Sequence, residues 1–262
     1  MKIAVIGCGN MGGAIVKGLY ESKLCSASEL FCADVMSQNL EAIKAIDEGI
    51  YVSNINSDVV KSAEYVILAV KPWLMNEVLD SIFSVLDIKK HTLISIAAGV
   101  ELSQIREKLG SNFTLFRVLP NTAIALRQSM TFVSSLNATS EQESSVLTLF
   151  SQLGKAIVIP ESQMSAFTSI SSCGIAYALR YVRAAVEGSV ELGIRPDIAQ
   201  EVIAQTMVGA ASLLLQNKEN AEVEVDKVTT PGGWTIKGLN KMEEYGFSNA
   251  VIQGIKANTN KK

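Results

Sequence analysis

The chain has 262 residues, of which 48% are hydrophobic and 19% are charged, and its formal net charge at pH 7 is -3. This composition excludes a disordered chain and allows a large buried core in one big domain or two modest ones. A slightly acidic chain without a run of Lys and Arg offers no surface for nucleic acid. The terminal Lys261 and Lys262 are interpreted as a solubilising tail.

The cysteines and the histidine argue against a metal site. The four cysteines have no CxxC spacing, and His91 is the only histidine, so zinc-ligand spacing is missing. Free thiols are typical of a reducing compartment. No uninterrupted apolar run approaches the length of a membrane span or a signal segment. We therefore expect a soluble, cytoplasmic protein that binds no metal, no membrane and no nucleic acid.

The chain opens with an apolar β-type run, Ile3–Ile6, that leads into a GxGxxG pattern and then into helix-forming sequence. In a dinucleotide-binding turn, Gly7 would allow a sharp bend, Gly9 would let the backbone approach a pyrophosphate, and Gly12 would let the helix pack on the strand. The helix N-terminus would then direct free N–H groups at the phosphates. The alternative is a tight strand-to-helix turn that binds nothing.

Strand and helix patterns then alternate along the chain. A second strand, residues 30–34, ends at Asp34, and a helix is predicted at 37–48. Further strands are predicted at 51–52, 65–70, 92–96 and 114–118, with helices at 57–63, 73–86 and 101–109 between them. This alternation predicts an α/β, doubly wound parallel sheet of the Rossmann type. Two more β-like runs, 130–134 and 156–159, flank a helix at 140–153 and are expected to extend the sheet.

Ligands of such sheets lie outside the carboxyl ends of the strands, where the strand order reverses. Three turns should therefore converge: 7–12, 70–72 and 97–99. The small residues Ala97, Ala98 and Gly99 leave room for a flat ring. Lys71 is either a ribose or nicotinamide contact or an ordinary exposed cation.

From Glu161 onward the periodicity becomes purely helical, which predicts domains at 1–160 and 161–262. One long helix is predicted at 163–192, and Pro196 begins another. The first helix is apolar nearly all round and must be buried. Because the C-terminal residues alone can hardly enclose it, a partner subunit is expected to cover it.

A second motif lies at 226–239, where two threonines, a proline and two glycines lead into a helix that starts near Trp234. Hydroxyls and flexible N–H groups concentrated at a helix N-terminus favour an anion, such as a substrate carboxylate. The alternative is a plain capped turn.

With both motifs in view, the chain resembles pyrroline-5-carboxylate reductase along essentially its whole length. The N-terminal similarity is carried by the turn at 7–12 and by Ala-Val-Lys-Pro at 69–72, Ala-Ala-Gly at 97–99 and Leu-Pro-Asn-Thr at 119–122. In the helical part it is carried by residues 192–193, 205–209 and 228–233, together with Thr235 and 238–239. The resemblance implies an oxidoreductase of proline biosynthesis that uses NAD(P)H to reduce 1-pyrroline-5-carboxylate to L-proline. It also implies a homodimer of interlocking C-terminal helices, sometimes assembled into a decamer.

The resemblance also assigns roles to residues. Thr235 would hydrogen-bond the ring nitrogen as the catalytic residue, or would be only a helix-terminal hydroxyl. The predicted substrate-binding residues are Val228, Thr229, Thr230, Gly232, Gly233, Trp234 and Thr235. The predicted cofactor-binding residues are Ile6, Gly7, Gly9, Asn10, Met11, Gly12, Asp34, Asn56, Ala69, Val70, Lys71, Pro72, Ala97, Ala98 and Gly99.

Three departures from the family pattern stand out. Residues 171–177 read Ser-Ser-Cys-Gly-Ile-Ala-Tyr where the family usually has Ser-Gly-Ser-Gly-Pro-Ala-Tyr, so a weaker kink is expected there. Trp234 replaces a smaller residue and either walls the pocket or packs outward. An acidic residue at the position of Asp34 favours ribose hydroxyls and repels a 2'-phosphate, so we expect use of both NADH and NADPH.

Three other functions agree less well with the sequence. A β-hydroxyacid dehydrogenase needs a Lys with an Asn one turn further on, whereas the helix at 171–184 offers only Arg180 and Arg183. A nucleotide-sensing protein without turnover is disfavoured by the intact Thr-Thr-Pro-Gly-Gly turn. A Ser/His/Asp hydrolase is excluded because His91 precedes the fifth predicted strand, at the end of the sheet opposite the predicted site.

Overall fold

The computed structural model describes residues 1–258, so the predicted tail at Lys261 and Lys262 lies outside the described residues. The chain divides into two compact units, Met1–Ser172 and Cys173–Lys262. The first unit is an α/β structure, and the second is helical throughout its described part.

The first unit is built on one eight-stranded sheet with the spatial order β3-β2-β1-β4-β5-β6-β7-β8. The strands are β1 (Ile3–Ile6), β2 (Leu30–Ala33), β3 (Tyr51–Ser53), β4 (Tyr65–Leu68), β5 (Thr92–Ser95), β6 (Thr114–Leu119), β7 (Ser129–Leu136) and β8 (Gly154–Val158). The first six strands are mutually parallel, and the strand order reverses between β1 and β4. The predicted doubly wound Rossmann-type arrangement is therefore confirmed.

The sequence predicted a parallel sheet, but the sheet is not parallel throughout. β7 runs antiparallel to β6, and β8 runs parallel to β7. A parallel connection requires a crossover of about a dozen residues or more, usually a helix. Only a 3₁₀ turn, Thr122–Leu126, separates β6 from β7, so the chain reverses direction there.

Helices cover both faces of this sheet. They are α1 (Asn10–Glu21), α2 (Ser37–Lys44), α3 (Asn56–Val60), α4 (Met75–Ile82), α5 (Leu102–Leu109) and α6 (Ser140–Ser151). The helix predicted at 73–86 is shorter than expected, because 3₁₀ turns at Pro72–Leu74 and Phe83–Val85 flank α4.

The core lies on both faces of the sheet. In β1, Ile3 and Val5 belong to one buried cluster, whereas Ala4 and Ile6 belong to another. This alternation follows from the period of two in a strand, and all four side chains are buried. The continuous apolar runs therefore come from strands that are covered on both sides.

The helix predicted at 163–192 is present as one continuous helical run, but it is not regular α-helix throughout. After β8 come a 3₁₀ turn at Glu161–Gln163, a short α7 (Met164–Phe167) and a π-helical turn at Thr168–Ser172. The Thr168 and Ser169 hydroxyls donate to the carbonyls of Met164 and Ser165, at 2.7 and 3.2 Å. Such bonds compete with regular helix and bend it. Regular helix is thus interrupted directly before Cys173, although the glycine and proline typical of the family are missing.

The second unit consists of α8 (Cys173–Glu191), α9 (Pro196–Asn217), α10 (Ala221–Lys227), α11 (Trp234–Glu244) and α12 (Phe247–Ala257). Among its described residues only Val186 and Ala199 are buried. The apolar side chains of α8 are not enclosed within one chain, and Leu179 is 63% exposed. By length and composition alone, α9 meets the requirements for a membrane-spanning helix.

The cysteines are free thiols, as predicted. Cys8, Cys25 and Cys32 are buried, and Cys173 is half-buried. Within residues 1–258, no group of three potential metal ligands comes together.

Candidate functional site

The glycine-rich turn after β1 has the geometry that its sequence predicts. Gly7 has φ +92, and a Cβ there would lie 2.6 Å from the Ala69 carbonyl oxygen. A Cβ on Gly12 would lie 1.8 Å from the Gly7 carbonyl oxygen. Neither position accepts a side chain. A Cβ on Gly9, in contrast, would meet no atom within 4 Å, so this glycine borders open space.

This open space lies at the N-terminus of α1. Gly9 is the N-cap and provides no side-chain cap for the helix. The first N–H groups of a helix have no partner within the helix, so those of Asn10, Met11 and Gly12 are available to an anion. The arrangement fits a pyrophosphate bound to the backbone beside Gly9.

The three predicted turns lie at the carboxyl ends of adjacent strands. Hydrogen bonds continue the ladder beyond the strands, from the Ala69 N–H to the Ile6 carbonyl at 2.8 Å and from the Ile96 N–H to the Leu68 carbonyl at 3.1 Å. Val70, Lys71 and Pro72 continue from Ala69, and the Lys71 side chain is exposed. In the third turn, Ala97 is buried whereas Ala98 and Gly99 are exposed.

The Asp34 carboxylate accepts three hydrogen bonds from its own chain. Its Oδ2 accepts from the Cys8 backbone N–H at 2.7 Å and from Asn39 Nδ2 at 3.0 Å. Its Oδ1 accepts from the Met36 N–H at 2.8 Å. A carboxylate has about four lone-pair sites. One acceptor position therefore remains for a ribose hydroxyl, and the carboxylate also holds the glycine turn.

Asn56 lies on α3, which follows the edge strand β3. Its Nδ2 donates to Ser81 Oγ of α4 at 2.9 Å. The amide is thus oriented by a neighbouring helix. Asn54, two residues earlier, donates to the Asp34 carbonyl at 2.9 Å and connects the ends of β2 and β3.

Two buried thiols, Cys8 and Cys32, are hydrogen-bonded to each other. Cys8 Sγ contacts the Ala33 carbonyl at 3.5 Å. A hydrogen bond with Cys8, together with burial, raises the pKa of the Cys32 thiol. Cys32 is therefore a protonated, unreactive core residue.

The second motif also forms a turn that only glycine can complete. Gly232 has φ +72, and a Cβ on Gly233 would lie 2.5 Å from Thr230 Oγ1. α11 begins at Trp234, as predicted, and its N-cap Gly233 provides no side-chain cap. The backbone N–H groups of Trp234 and Thr235 are therefore available to an anion.

The donors of this motif are not all available. Thr229 Oγ1 donates to the Val225 carbonyl at 2.7 Å, and the Thr229 N–H donates to the Asp226 carbonyl at 3.1 Å. The Gly233 N–H donates to the Thr230 carbonyl at 2.9 Å. Val228, Thr230, Trp234 and Thr235 are exposed, and the Trp234 side chain is 93% exposed. Trp234 therefore does not pack against its own unit.

The sequence did not single out Arg117 and Glu161. Their side chains form an ion pair of 3.0 Å beside the turn that follows β5. The two residues are 44 positions apart, so no local pattern connects them.

Two family models match the chain. Residues 161–262 match the pyrroline-5-carboxylate reductase dimerisation family, and residues 2–99 match a family described as NADP oxidoreductase, coenzyme F420-dependent. The first match begins at residue 161, whereas the second compact unit begins at Cys173.

Full-length relatives extend these matches. Pyrroline-5-carboxylate reductase 1 of Dictyostelium discoideum is 38% identical over 99% of this chain, and the chain spans only 49% of that relative. The pyrroline-5-carboxylate reductase of Methanosarcina acetivorans is 35% identical, over 96% of this chain and 94% of the relative. The solved structure of a pyrroline-5-carboxylate reductase from Coxiella burnetii is similar with a TM-score of 0.92 at 26% identity, over 99% of this chain and 96% of that one. The chain belongs to the pyrroline-5-carboxylate reductase family.

Proposed function

We propose that the chain is a pyrroline-5-carboxylate reductase, which reduces the C=N bond of 1-pyrroline-5-carboxylate with NAD(P)H to give L-proline. The observation that carries the proposal is the match to relatives of this name along nearly the whole chain. That match includes both glycine-dependent turns, one at the N-terminus of α1 and one at the N-terminus of α11. The reaction is the last step of proline biosynthesis.

The proposed cofactor site is formed by the turns after β1, β4 and β5. The N–H groups of Asn10, Met11 and Gly12 bind the pyrophosphate, and Gly9 leaves room for it. Ala97, Ala98 and Gly99 border the nicotinamide, while Ile6, Gly7 and residues 69–72 form the floor and side of the site. Asn56 and Asp34 contact the adenosine half, and Asp34 offers one acceptor to the ribose. When bound, the cofactor supplies the hydride.

The proposed substrate site is the turn before α11. The N–H groups of Trp234 and Thr235 bind the substrate carboxylate, and the hydroxyl of Thr230 adds a donor. Val228, Thr229, Gly232 and Gly233 give the turn its shape. Thr235 Oγ1 hydrogen-bonds the ring nitrogen and is the catalytic residue. Reduction of a protonated imine requires positioning more than a strong acid, which agrees with a site that contains no histidine.

We further propose a cytoplasmic homodimer, which can assemble into a decamer, with domains at 1–160 and 161–262. The match of 161–262 to a dimerisation family and the exposed apolar side chains of α8 and α9 support self-association. The same need for a partner explains why α9 is apolar enough to resemble a membrane span.

A spectrophotometric assay tests the function. The purified protein should oxidise NADH or NADPH when 1-pyrroline-5-carboxylate is present and should not do so without a cyclic imine. Open-chain 2-keto acids of the same size are the matched control. Equal rates on those acids would contradict the proposal, and binding of NADPH without any turnover would favour a nucleotide-sensing protein instead.

A further inference from the structure

One carboxylate in the first unit connects three separate elements. Glu161 opens the 3₁₀ turn that follows β8. Its Oε1 accepts from the Leu102 backbone N–H at 2.8 Å and from Arg117 Nη1 at 3.0 Å. The Arg117 side chain is only 15% exposed, so this ion pair is better shielded than the surface pairs of the chain.

The contact with Leu102 satisfies a backbone hydrogen-bond donor at the start of α5. Leu102 is the first residue of that helix, and its N–H has no partner within the helix. A capping box between Glu101 and Gln104 already serves other backbone N–H groups of the same first turn. Glu161 completes the cap with a negative charge, which the N-terminal end of the helix dipole also favours.

The contact with Arg117 holds the other side of the same turn. Arg117 lies on β6 opposite Ser95, the last residue of β5. The turn at 96–101 leaves β5 at Ser95 and enters α5 at Leu102. Glu161 therefore links the start of α5, through Leu102, to the strand beside the end of β5, through Arg117. Between these two points, Ala98 and Gly99 are exposed, and Gly99 has φ +81.

We propose that Glu161, together with Arg117, is a positioning residue that fixes the turn after β5 against the nicotinamide half of the cofactor. This inference depends on the cofactor site of the proposed function. Glu161 itself touches no reacting atom. It acts through Leu102 and Arg117. Its loss should therefore weaken binding of the nicotinamide half and leave binding of the adenosine half unchanged.

Calorimetry with two ligands tests this inference. NADP⁺ carries the nicotinamide, and 2'-phospho-ADP-ribose is the same molecule without it. Glu161→Ala should weaken NADP⁺ binding roughly tenfold, the loss expected for hydrogen bonds to a charged group, and should change binding of the fragment less than about twofold. Glu161→Gln keeps an acceptor for Leu102 but loses the ion pair, and it should weaken NADP⁺ binding about threefold.

Asp80→Asn is the matched control. It removes an ion pair of 2.6 Å with Lys108, near the opposite end of α5, and should leave both affinities unchanged. Equal weakening of both ligands by the Glu161 variants, or no weakening of either, would overturn the inference. If Glu161→Ala does not fold, as judged by circular dichroism, the Gln variant carries the test. The readout is binding alone, so a chain inactive on the imine that still separates the two ligands would defeat the proposed reaction and keep this inference.

Discussion

The two units of this chain differ in how closely their own atoms pack around the glycines within their helices. In the first unit, atoms of the same unit lie close to each glycine of the helix α1, namely Gly12, Gly13 and Gly18. In the second unit, the glycines within the long helices border open space, namely Gly174, Gly188, Gly209, Gly238 and Gly254. A glycine within a helix costs about 1 kcal/mol relative to alanine. Such a cost is understandable where another backbone approaches closely.

The comparison supports the proposal that another chain completes the second unit. The first unit covers both faces of its sheet, whereas large apolar side chains of the second remain exposed, such as Leu179, Val202 and Leu215. The match of 161–262 to a dimerisation family identifies a second copy as the expected cover. Five experiments test this contrast, in order of decreasing expected effect.

Gly12→Ala should have the largest effect, because its Cβ would lie 1.8 Å from a backbone oxygen of the same unit. We expect binding of NADP⁺ to fall at least about a hundredfold and unfolding to become easier by roughly 3 kcal/mol. Gly9→Ala is the control: its Cβ meets open space, so it should fold normally and lose about tenfold in affinity. Thermal unfolding and calorimetry measure both. Equal unfolding temperatures for the two variants would show that the first unit is not closely packed there.

Leu179→Asp should dissociate the assembly. Leu179 is 63% exposed in one chain, so aspartate would be harmless in a true monomer, but a buried charge without a partner is costly at an interface. We expect dimer affinity to fall about a hundredfold, which corresponds to about 2.7 kcal/mol. The control is Ile88→Asp, at a residue that is 48% exposed in the first unit, and it should leave dimer affinity unchanged. Light scattering that finds an active monomer of the unmodified protein would contradict the need for a second copy.

Thr235→Ala tests the chemistry of the second unit. If the hydroxyl gains a stronger hydrogen bond in the transition state, kcat/KM should fall about 10- to 100-fold, or about 1.4 to 2.7 kcal/mol. Thr235→Ser keeps the hydroxyl and should retain activity within a few-fold. Steady-state kinetics on 1-pyrroline-5-carboxylate provide the measurement. An unchanged value for the alanine variant would leave Thr235 as a helix-terminal hydroxyl.

Asp34→Ser should shift cofactor choice. A carboxylate near a 2'-phosphate in a partly solvated site costs on the order of 1 kcal/mol, so removing it should move the ratio of kcat/KM several-fold toward NADPH. Because Asp34 also holds the Cys8 N–H, binding of both cofactors should weaken. Asp34→Asn removes the charge but keeps an acceptor, and it should shift the ratio with a smaller common loss. A ratio that does not move would mean that Asp34 serves only the glycine turn.

His91 should give the smallest effect, confined to the first unit. Burial lowers the pKa of His91 below its ordinary value of 6.5, and Lys90 adds to this. Its Nδ1 accepts from the Asp87 N–H at 2.9 Å, while Nε2 has no hydrogen-bond partner among the described residues. The unfolded chain therefore takes up the proton first, and the contribution of His91 to stability should be constant above about pH 6.5 and fall as the pH drops below it. Urea unfolding at several pH values measures this, and His91→Gln should reduce the slope.

Local patterns predicted the parts of the molecule that depend on local geometry. The GxGxxG spacing and the apolar runs predicted the positions of the first six strands along the chain and the glycine turn, because both depend on neighbours in sequence. The start of α11 at Trp234 followed from the glycines before it. The reversal at β7 was missed although the connection between β6 and β7 is too short for a helical crossover.

Tertiary contacts explain what the sequence could not provide. The partners of Asp34 include Cys8, 26 residues away, and Glu161 reaches Leu102 across 59 residues. No periodicity encodes such distances. Similarly, Thr229 was expected to donate to a ligand, but its hydroxyl is directed at the carbonyl of Val225. The roles of the site residues stay predictions until the variants are measured.

The buried thiol of Cys8 gives the glycine turn a built-in reporter. Cys8 lies inside that turn and is only 5% exposed, so a thiol reagent reaches it only when the turn opens. Its labelling rate therefore measures the free energy of local opening, and a bound dinucleotide should slow that rate by the same factor by which it stabilises the closed turn. Cys25 and Cys32, which are buried in the same unit, react only when the core itself opens. One labelling experiment on the native chain can thus separate motion of the cofactor turn from unfolding of the sheet beneath it.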